Sequence, residues 1–262
     1  GLEYSGHGGS TFSIGPNAAN AVMDVRLSAG VNALTAGQVI FGGGAANATG
    51  QNTLVQLGAA NLFNTDRLQF GAYTAGATVT LKSGLTNPLF LVRGQEGGNA
   101  RASSLFVGYV SSGGTSSTSS LNLTDAANDV RVAYFRVGFD DTGSTTASST
   151  STLTFNRGLI DASVFRLADS QTTGTATGTY TGTVNQAGGV GRFGALVLGR
   201  NLASAVASAR VAGRGRRQLR VQRSRIHRLQ LDPPPRPLGD ALGRERCTIK
   251  SYVVRSRSTS RL

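Results

Sequence analysis

Short apolar alternations recur along the chain at nearly constant intervals. Each copy has two apolar residues flanking one variable position, followed by Gly or Ala, as in Phe135-Arg136-Val137-Gly138. In a strand, this alternation puts both apolar side chains on one face and the variable residue on the other. The seven copies are Phe12–Gly15, Val39–Gly42, Leu68–Gly71, Leu105–Gly108, Phe135–Gly138, Phe165–Ala168 and Leu196–Gly199. Their closing residues lie 27, 29, 37, 30, 30 and 31 positions apart, which predicts a repeat of about 30 residues.

A unit of this length cannot bury an apolar face alone and must stack on its neighbours. We therefore predict an all-β fold, a parallel β-helix (β-solenoid) with inward-facing apolar ladders. The expected inward residues are Phe12, Ile14, Val39, Phe41, Leu68, Phe70, Leu105, Val107, Phe135, Val137, Phe165, Leu167, Leu196 and Leu198. A β-sandwich of short strands is the alternative; it explains the alternation but not the constant period.

Two further features of the repeat carry expectations about the coil corners. The closing Gly is expected to take a positive φ or to allow close approach of a neighbouring coil. Asn61 and Asn128 occupy matching positions in segments that align without gaps, and we expect them to stack at a corner. The Ser/Thr/Gly segments between copies are either protruding loops or Thr-rich strands facing solvent. These segments are Ser111–Ser120, Thr142–Thr152 and Thr172–Thr183.

The repeat units are similar in style to a known group. Thr152–Phe155, Gly182–Gly189 and Gly194–Gly199 resemble the Thr/Gly/Asn-rich units of autotransporter-associated β-strand repeats, found in bacterial surface and secreted proteins. The resemblance covers residues 10–199 and implies a β-helical passenger stalk with adhesive or structural duty, exported through the outer membrane. The family also has a C-terminal translocator barrel, which we do not expect within these residues.

Charge divides the chain into unequal parts. Residues 1–199 carry ten basic and ten acidic groups, whereas residues 200–262 carry sixteen basic and three acidic groups. We therefore predict an N-terminal edge at 1–9, a solenoid domain at 10–199, and an Arg/Pro-rich tail at 200–262. The formal charge of +13 thus belongs to the tail, and steering arguments based on charge apply only there.

The tail has three interpretations. Its arginines could neutralise nucleic-acid phosphates, although few aromatic residues accompany them. Leu202–Ala212 could form a membrane-surface helix, but its apolar side chains are small. The abrupt loss of the repeat after Gly199 also fits out-of-frame translation, which would leave the tail disordered or partly helical. The arginines of the first interpretation are Arg214, Arg216, Arg217, Arg220, Arg223, Arg225 and Arg228.

Residues able to hold a metal ion are few. His7 and His227 have no second His or Cys at ligand spacing, and Cys247 is the only cysteine, so zinc is not expected. Asp140 and Asp141, with Asp125 and Asp129 one strand earlier, could hold Ca²⁺ if they converged across coils. Adjacent aspartates point to opposite sides of a strand, however, and Asp-Asp-Thr-Gly also suits a solvated turn.

A carbohydrate-active enzyme is an alternative because β-helices can present catalytic carboxylates on a solvent-facing sheet. Its candidate residues are Arg131, Arg136, Arg166, Asp140, Asp141 and Asp161. Arg at the outward position of two successive copies is explained more simply as a solvent-facing ladder paired with nearby Asp. The sequence has no nucleophile elbow and no phosphate-binding loop, so we expect no enzyme, catalytic residue or cofactor.

We therefore predict a structural or adhesive repeat segment of a secreted or cell-surface bacterial protein, associated with the outer membrane. A carbohydrate-binding module and a tail that binds nucleic acid are the alternatives. The chain starts at Gly1 without a signal sequence or initiator Met, so it is expected to be a fragment or processed form. Its expected partners are further repeats of a parent chain and surface glycans or proteins, reached through the Ser/Thr/Gly loops.

Overall fold

Two β-sheets enclose one elongated apolar interior, and successive stretches of the chain add a strand to each sheet in turn. The computed structural model describes residues 1–6, 8–16, 18–43, 50–73, 75–110, 116–140, 148–170 and 178–199, and the backbone of strands at 206–212, 218–221 and 252–255. All regular elements in these ranges are strands. Among these residues, no helix is long and apolar enough to cross a bilayer.

The first sheet holds ten of the described strands, all paired in parallel. It runs in the order β1, β4, β6, β8, β11, β13, β15, β17, with β2 beside β4 and β9 between β6 and β11. The strands are β1 (Leu2–Ser5), β2 (Thr11–Ile14), β4 (Val31–Gly43), β6 (Ala60–Ala72), β8 (Leu89–Arg93), β9 (Ala102–Val110), β11 (Ala127–Asp140), β13 (Leu159–Ser170), β15 (Val190–Leu198) and β17 (Gln218–Val221).

The second sheet holds the other eight described strands. Its order is β18, β16, β14, β12, β10, β7, β5, β3, and only the pairing of β18 with β16 is antiparallel. The strands are β3 (Val22–Arg26), β5 (Asn52–Leu57), β7 (Gly76–Leu81), β10 (Ser117–Leu123), β12 (Ser149–Phe155), β14 (Thr179–Gln186), β16 (Val206–Ala212) and β18 (Tyr252–Arg255). Val206–Ala212 is thus a strand, within the segment for which a surface helix is one alternative.

The fold is the predicted β-solenoid, with about six turns of about 30 residues. Successive apolar pairs align in register, for example Leu105, Phe135 and Phe165 on neighbouring strands. The expected inward residues lie in one apolar core, fully buried in the central coils and partly buried at Phe12, Ile14, Leu196 and Leu198. The constant period of the sequence therefore results from the stacking of coils, and the β-sandwich alternative is wrong.

The closing glycines let the two sheets approach closely. Gly71 and Gly108 have φ of 79° and 73°, and a Cβ on them would lie 2.1 Å and 1.9 Å from the hydroxyl oxygens of Ser119 and Ser151. These serines are buried, so the Ser/Thr-rich segments are partly interior strands, with Ser packed against the closing glycines. The prediction of loops or solvent-facing strands missed this interior row, which small side chains allow.

The interval of 37 residues has a local cause. In this coil the first-sheet strand is divided into β8 and β9, and the turn between them takes up the extra residues. Both pieces pair with β6 on one side and β11 on the other. The insertion therefore leaves the register of the interior unchanged.

The predicted stack of Asn61 on Asn128 is wrong. Phe90 of β8 lies between them in the register. Asn61 instead accepts a hydrogen bond from the side-chain amide of Asn32 (3.1 Å), while Asn128 donates to the carbonyl of Arg157 (2.8 Å). The divided coil places an apolar residue at the corner position that Asn32, Asn61 and Asn128 occupy in other coils.

Candidate functional site

The outer face of the first sheet carries three columns of side chains, one residue per coil. Phe106 lies between the inward residues Leu105 and Val107 and so points outward. Adjacent strands lie ~4.8 Å apart, so each column is a ladder with that spacing. The columns are Gln38, Arg67, Ser104, Tyr134, Val164 and Ala195; then Ile40, Gln69, Phe106, Arg136, Arg166 and Val197; and then Ala72, Tyr109, Phe139 and Asp169.

Three aromatic rings pack together at the centre of these columns. The ring centroids of Phe106 and Tyr109 are 5.0 Å apart, those of Phe106 and Phe139 are 5.6 Å apart, and Tyr109 stacks on Phe139 at 5.7 Å. All three residues are buried, and Ile40 and Ala72 extend the group. The result is a second apolar cluster on the outside of the solenoid, separate from the interior core.

Arginine guanidiniums lie over this aromatic group. Arg67 lies 4.9 Å and 4.8 Å from the ring centroids of Phe106 and Tyr109, and Arg136 lies 4.3 Å from Phe139. Such contacts stabilise by about 0.5–2 kcal/mol, more as they are desolvated. We call the assembly the arginine–aromatic patch. It consists of Arg67, Phe106, Tyr109, Tyr134, Arg136, Phe139, Arg166 and Asp169.

Positive charge in the patch is only partly balanced. The Nη1 of Arg166 donates to Asp169, a fully buried carboxylate, at 2.8 Å. Within the described part of the chain, Arg67 and Arg136 form no ion pair with a carboxylate, and the Nε–H of each is buried without an acceptor. Two guanidiniums therefore keep hydrogen-bonding capacity that described protein groups do not use.

Burial lowers the pKa of Arg136 to about 10, and the nearby charges of Arg166 and Arg67 act in the same direction. Asp169 opposes the shift through its negative charge. Because this pKa is well above 7, the guanidinium stays charged at neutral pH. The lowered pKa of Arg136 means that its charge is partly desolvated and lies near other cations. A bound anion would stabilise the charged guanidinium there.

A shallow groove adjoins the patch at Arg67. It measures about 400 Å³ and is lined by Arg67, Gln38, Asp66, Gln95 and Ser104, with the backbone of Gly8, Gly9 and Gly37 and with Ser103. The Gln95 amide donates to the Asp66 carboxylate at 2.6 Å. The groove thus offers amide, hydroxyl and carboxylate groups beside an arginine.

A second charged group lies further along the same face, and we call it the ion-pair ladder. It consists of Arg93, Arg101, Asp129, Arg131, Asp161 and Arg192. The Asp129 carboxylate lies between Arg93 and Arg131, and the Asp161 carboxylate lies between Arg101 (2.9 Å) and Arg192 (3.5 Å). Each arginine of this ladder has a carboxylate partner.

Arg93 is the most buried member of the ladder, with a side chain 5% exposed. Its Nε donates to the carbonyl of Gly98 at 2.8 Å, and its Nη1 donates to the carbonyls of Val92 and Asp129. The guanidinium joins β8, the turn after it and β11. Its contacts are those of a structural cross-link.

The residues considered for catalysis are divided among three places. Arg131 and Asp161 belong to the ion-pair ladder, while Arg136 and Arg166 belong to the patch. Asp140 is fully buried and accepts from the Ser170 hydroxyl at 3.2 Å. Asp141 lies outside the described residues. The described candidates therefore do not converge on one cleft.

The acids considered for calcium do not converge either. Asp125 accepts from the side chain of Asn156 at 2.8 Å, and Asp129 is engaged by two arginines. No group of three or more His, Cys, Asp or Glu residues suited to a metal ion occurs within the described ranges. His7, His227, Cys247 and the tail arginines named above lie outside the residues whose side chains are described.

Sequence reasoning missed the aromatic half of the patch. Arg136 and Arg166 are the variable residues of their tetrads in the sequence. Gln69 holds the corresponding position two coils before Arg136. Tyr109, Phe139 and Asp169 each follow the closing Gly or Ala by one residue. The positive φ at that closing residue turns the next side chain to the outer face. The residue after each tetrad was therefore the sequence signal from which the rest of the patch could have been predicted.

No family model, curated protein or solved structure matches the chain. The β-solenoid agrees with the fold that the autotransporter resemblance implies. Membership of that group stays a prediction, as do export and association with the outer membrane.

Proposed function

We propose that the chain is a structural segment of a secreted or cell-surface bacterial protein, in which stacked coils form a spacer or an adhesive stalk without chemistry of its own. The observation that carries the proposal is the uninterrupted register of the coils. Residues of β4, β6, β9, β11, β13 and β15 align one for one across the first sheet. Length in such a fold is set by the number of coils.

The edge strands support extension by further coils. In the part of the chain that the structure describes, β1 and β2 each pair only with β4, and β3 pairs only with β5. Their other edges have unpaired backbone groups, which readily accept another strand. Further repeats of a parent chain, stacked there in the same register, would make one longer rod.

Deleting one whole coil tests the modular rod. Phe139 and Asp169 are register partners, so removing residues 139–168 joins Gly138 to Asp169 and leaves every remaining pair aligned. We expect this variant to keep its β circular dichroism and cooperative unfolding, and small-angle scattering to show a particle shorter by ~4.8 Å. The matched control removes residues 139–153, half a coil, and should misfold because its strands lose register.

Two results would contradict the proposal. Equal unfolding of both deletions would show that the coils are not modular. For the surface role, antibodies against the chain should label intact cells of the source bacterium as strongly as permeabilised cells. Labelling that requires permeabilisation would place the protein inside the cell and rule out a surface stalk.

A further inference from the structure

The patch and the ion-pair ladder share one face but differ in how their arginines are used. In the ladder, Asp129 and Asp161 each contact two arginines. In the patch, the one described carboxylate in ion-pair contact is Asp169, with Arg166, and Arg67 and Arg136 keep buried Nε–H groups without a described acceptor. Guanidinium charges that no described carboxylate neutralises, held in a partly desolvated place, favour a bound oxyanion.

The placement of these arginines suits a polymer better than a single small anion. Arg136 and Arg166 are register partners on adjacent strands, ~4.8 Å apart. Arg67 lies in the neighbouring column, two strands before Arg136. The positive groups therefore run across several coils, and an extended ligand with repeated anionic groups would contact all of them.

The groove beside Arg67 supplies a different kind of contact. Its Gln38, Gln95 and Ser104 side chains are amides and a hydroxyl, and Asp66 is an exposed carboxylate. Such groups hydrogen-bond to hydroxyls, which a sugar chain carries on every ring. A sugar chain that also bears acidic groups therefore suits both the groove and the arginines.

The exposure of the aromatic rings distinguishes a sugar from a nucleic acid. Single-stranded nucleic acid is held by bases that stack on open aromatic rings. Phe106 and Phe139 are 2% and 1% exposed, and arginines lie over them. Tyr134 is the accessible ring of the patch, 39% exposed, with the guanidinium of Arg136 at 5.0 Å from its centroid. One ring flanked by arginine fits the apolar face of a sugar that carries an acid.

We infer that the arginine–aromatic patch and its adjoining groove bind an acidic polysaccharide. Arg67, Arg136 and Arg166 would contact its carboxylate or sulfate groups, Tyr134 would pack against a sugar ring, and the groove would hydrogen-bond to hydroxyls. This inference adds a ligand to the proposed stalk but does not depend on it. The coil deletion and the cell labelling test the stalk alone.

Binding by the full chain can be measured calorimetrically at about 0.15 M salt, where distant exposed charges are screened. The probes are oligogalacturonate (carboxylate), dextran sulfate (sulfate), neutral dextran and single-stranded oligothymidylate. The double variant Arg67→Gln/Arg136→Gln is compared with Arg131→Gln/Arg192→Gln, which removes the same charge from the ladder and leaves the basic tail unchanged.

The patch variant should bind at least one acidic polysaccharide at least about tenfold more weakly than wild type, because it loses two charged contacts with the ligand. The ladder variant should change its Kd less than about twofold, and neutral dextran should not bind. The two acidic probes then tell whether carboxylate or sulfate is preferred. Equal weakening by both variants would assign binding to overall charge and overturn the inference.

Two other outcomes would also overturn it. One is that wild type binds neither acidic probe. The other is that it binds oligothymidylate alone through the patch, which would make nucleic acid the partner. Tyr134→Ala is a second variant for the case in which the double arginine variant does not fold. Its control is Tyr73→Ala, because Tyr73 has a similar exposure (41%). Only Tyr134→Ala should weaken the binding, by about tenfold.

Discussion

The ion-pair ladder and the arginine–aromatic patch occupy one outer face and are built from the same residue type, but their arginines have different surroundings. Arg93 is enclosed by Asp129 and backbone carbonyls, whereas Arg136 lies over Phe139 beside a second cation. The ladder uses its hydrogen-bonding capacity to join coils. The patch retains that capacity, so we assign stability to the first region and recognition to the second.

The largest effect should come from breaking the ladder at Arg93. Arg93→Met leaves the Asp129 carboxylate and three backbone carbonyls without their donor, so we expect the free energy of unfolding to fall by about 3 kcal/mol. The measurement is urea denaturation followed by circular dichroism. A loss below 1 kcal/mol would mean that the ladder is not a structural element.

Asp169→Asn should have the next largest effect because it removes the carboxylate from the patch. The change leaves Arg166 and Arg136 as neighbouring cations, and we expect a loss of about 2 kcal/mol. An acidic polysaccharide should then restore more stability to this variant than to Asp161→Asn, its match in the ladder. Thermal melts with and without dextran sulfate measure the difference, and equal recovery would contradict the contrast between the regions.

Arg136→Met should change stability by less than about 1 kcal/mol, in contrast to Arg93→Met. Methionine keeps the packing on Phe139 and Phe106 and removes a buried charge that lacks a described carboxylate partner. The same urea titration serves as the measurement. A loss as large as that of Arg93→Met would show that Arg136 is a structural cross-link.

The smallest expected effect is a pH dependence of wild type relative to Arg136→Met. Because the folded chain lowers the pKa of Arg136 to about 10, below its value in the unfolded chain, the unfolded chain binds more protons above pH 10. The charged Arg136 side chain therefore contributes least to the free energy of unfolding below pH 10, and this free energy rises as the pH rises above 10. Partial exposure limits the gain at pH 11 to less than about 1 kcal/mol. An opposite sign in paired urea titrations at pH 8 and 11 would refute this cause.

The interior could be predicted from the sequence, whereas most of the outer face could not. Every coil must fill the same apolar interior, so apolar residues recur at one position of each coil, as at Val39, Leu68, Leu105 and Phe135. The periodicity of the sequence follows from that requirement. Arg67 is not part of any tetrad, and its contact with Phe106 depends on strand register and the divided coil. The asparagine stack failed for the same reason, since Phe90 interrupts a column that looks continuous along the sequence.

The arginine Nε–H groups report directly on whether a ligand binds at the patch or elsewhere on the chain. In a ¹⁵N-labelled chain, the Nε–H resonances can be assigned by Arg→Lys variants and followed by NMR during titration with the acidic oligosaccharide that binds. We predict that the resonances of Arg67 and Arg136 shift in a saturable manner, while that of Arg93, already bonded to Gly98, stays in place. Shifts confined to arginines of residues 200–262, with Arg67 and Arg136 unchanged, would contradict it.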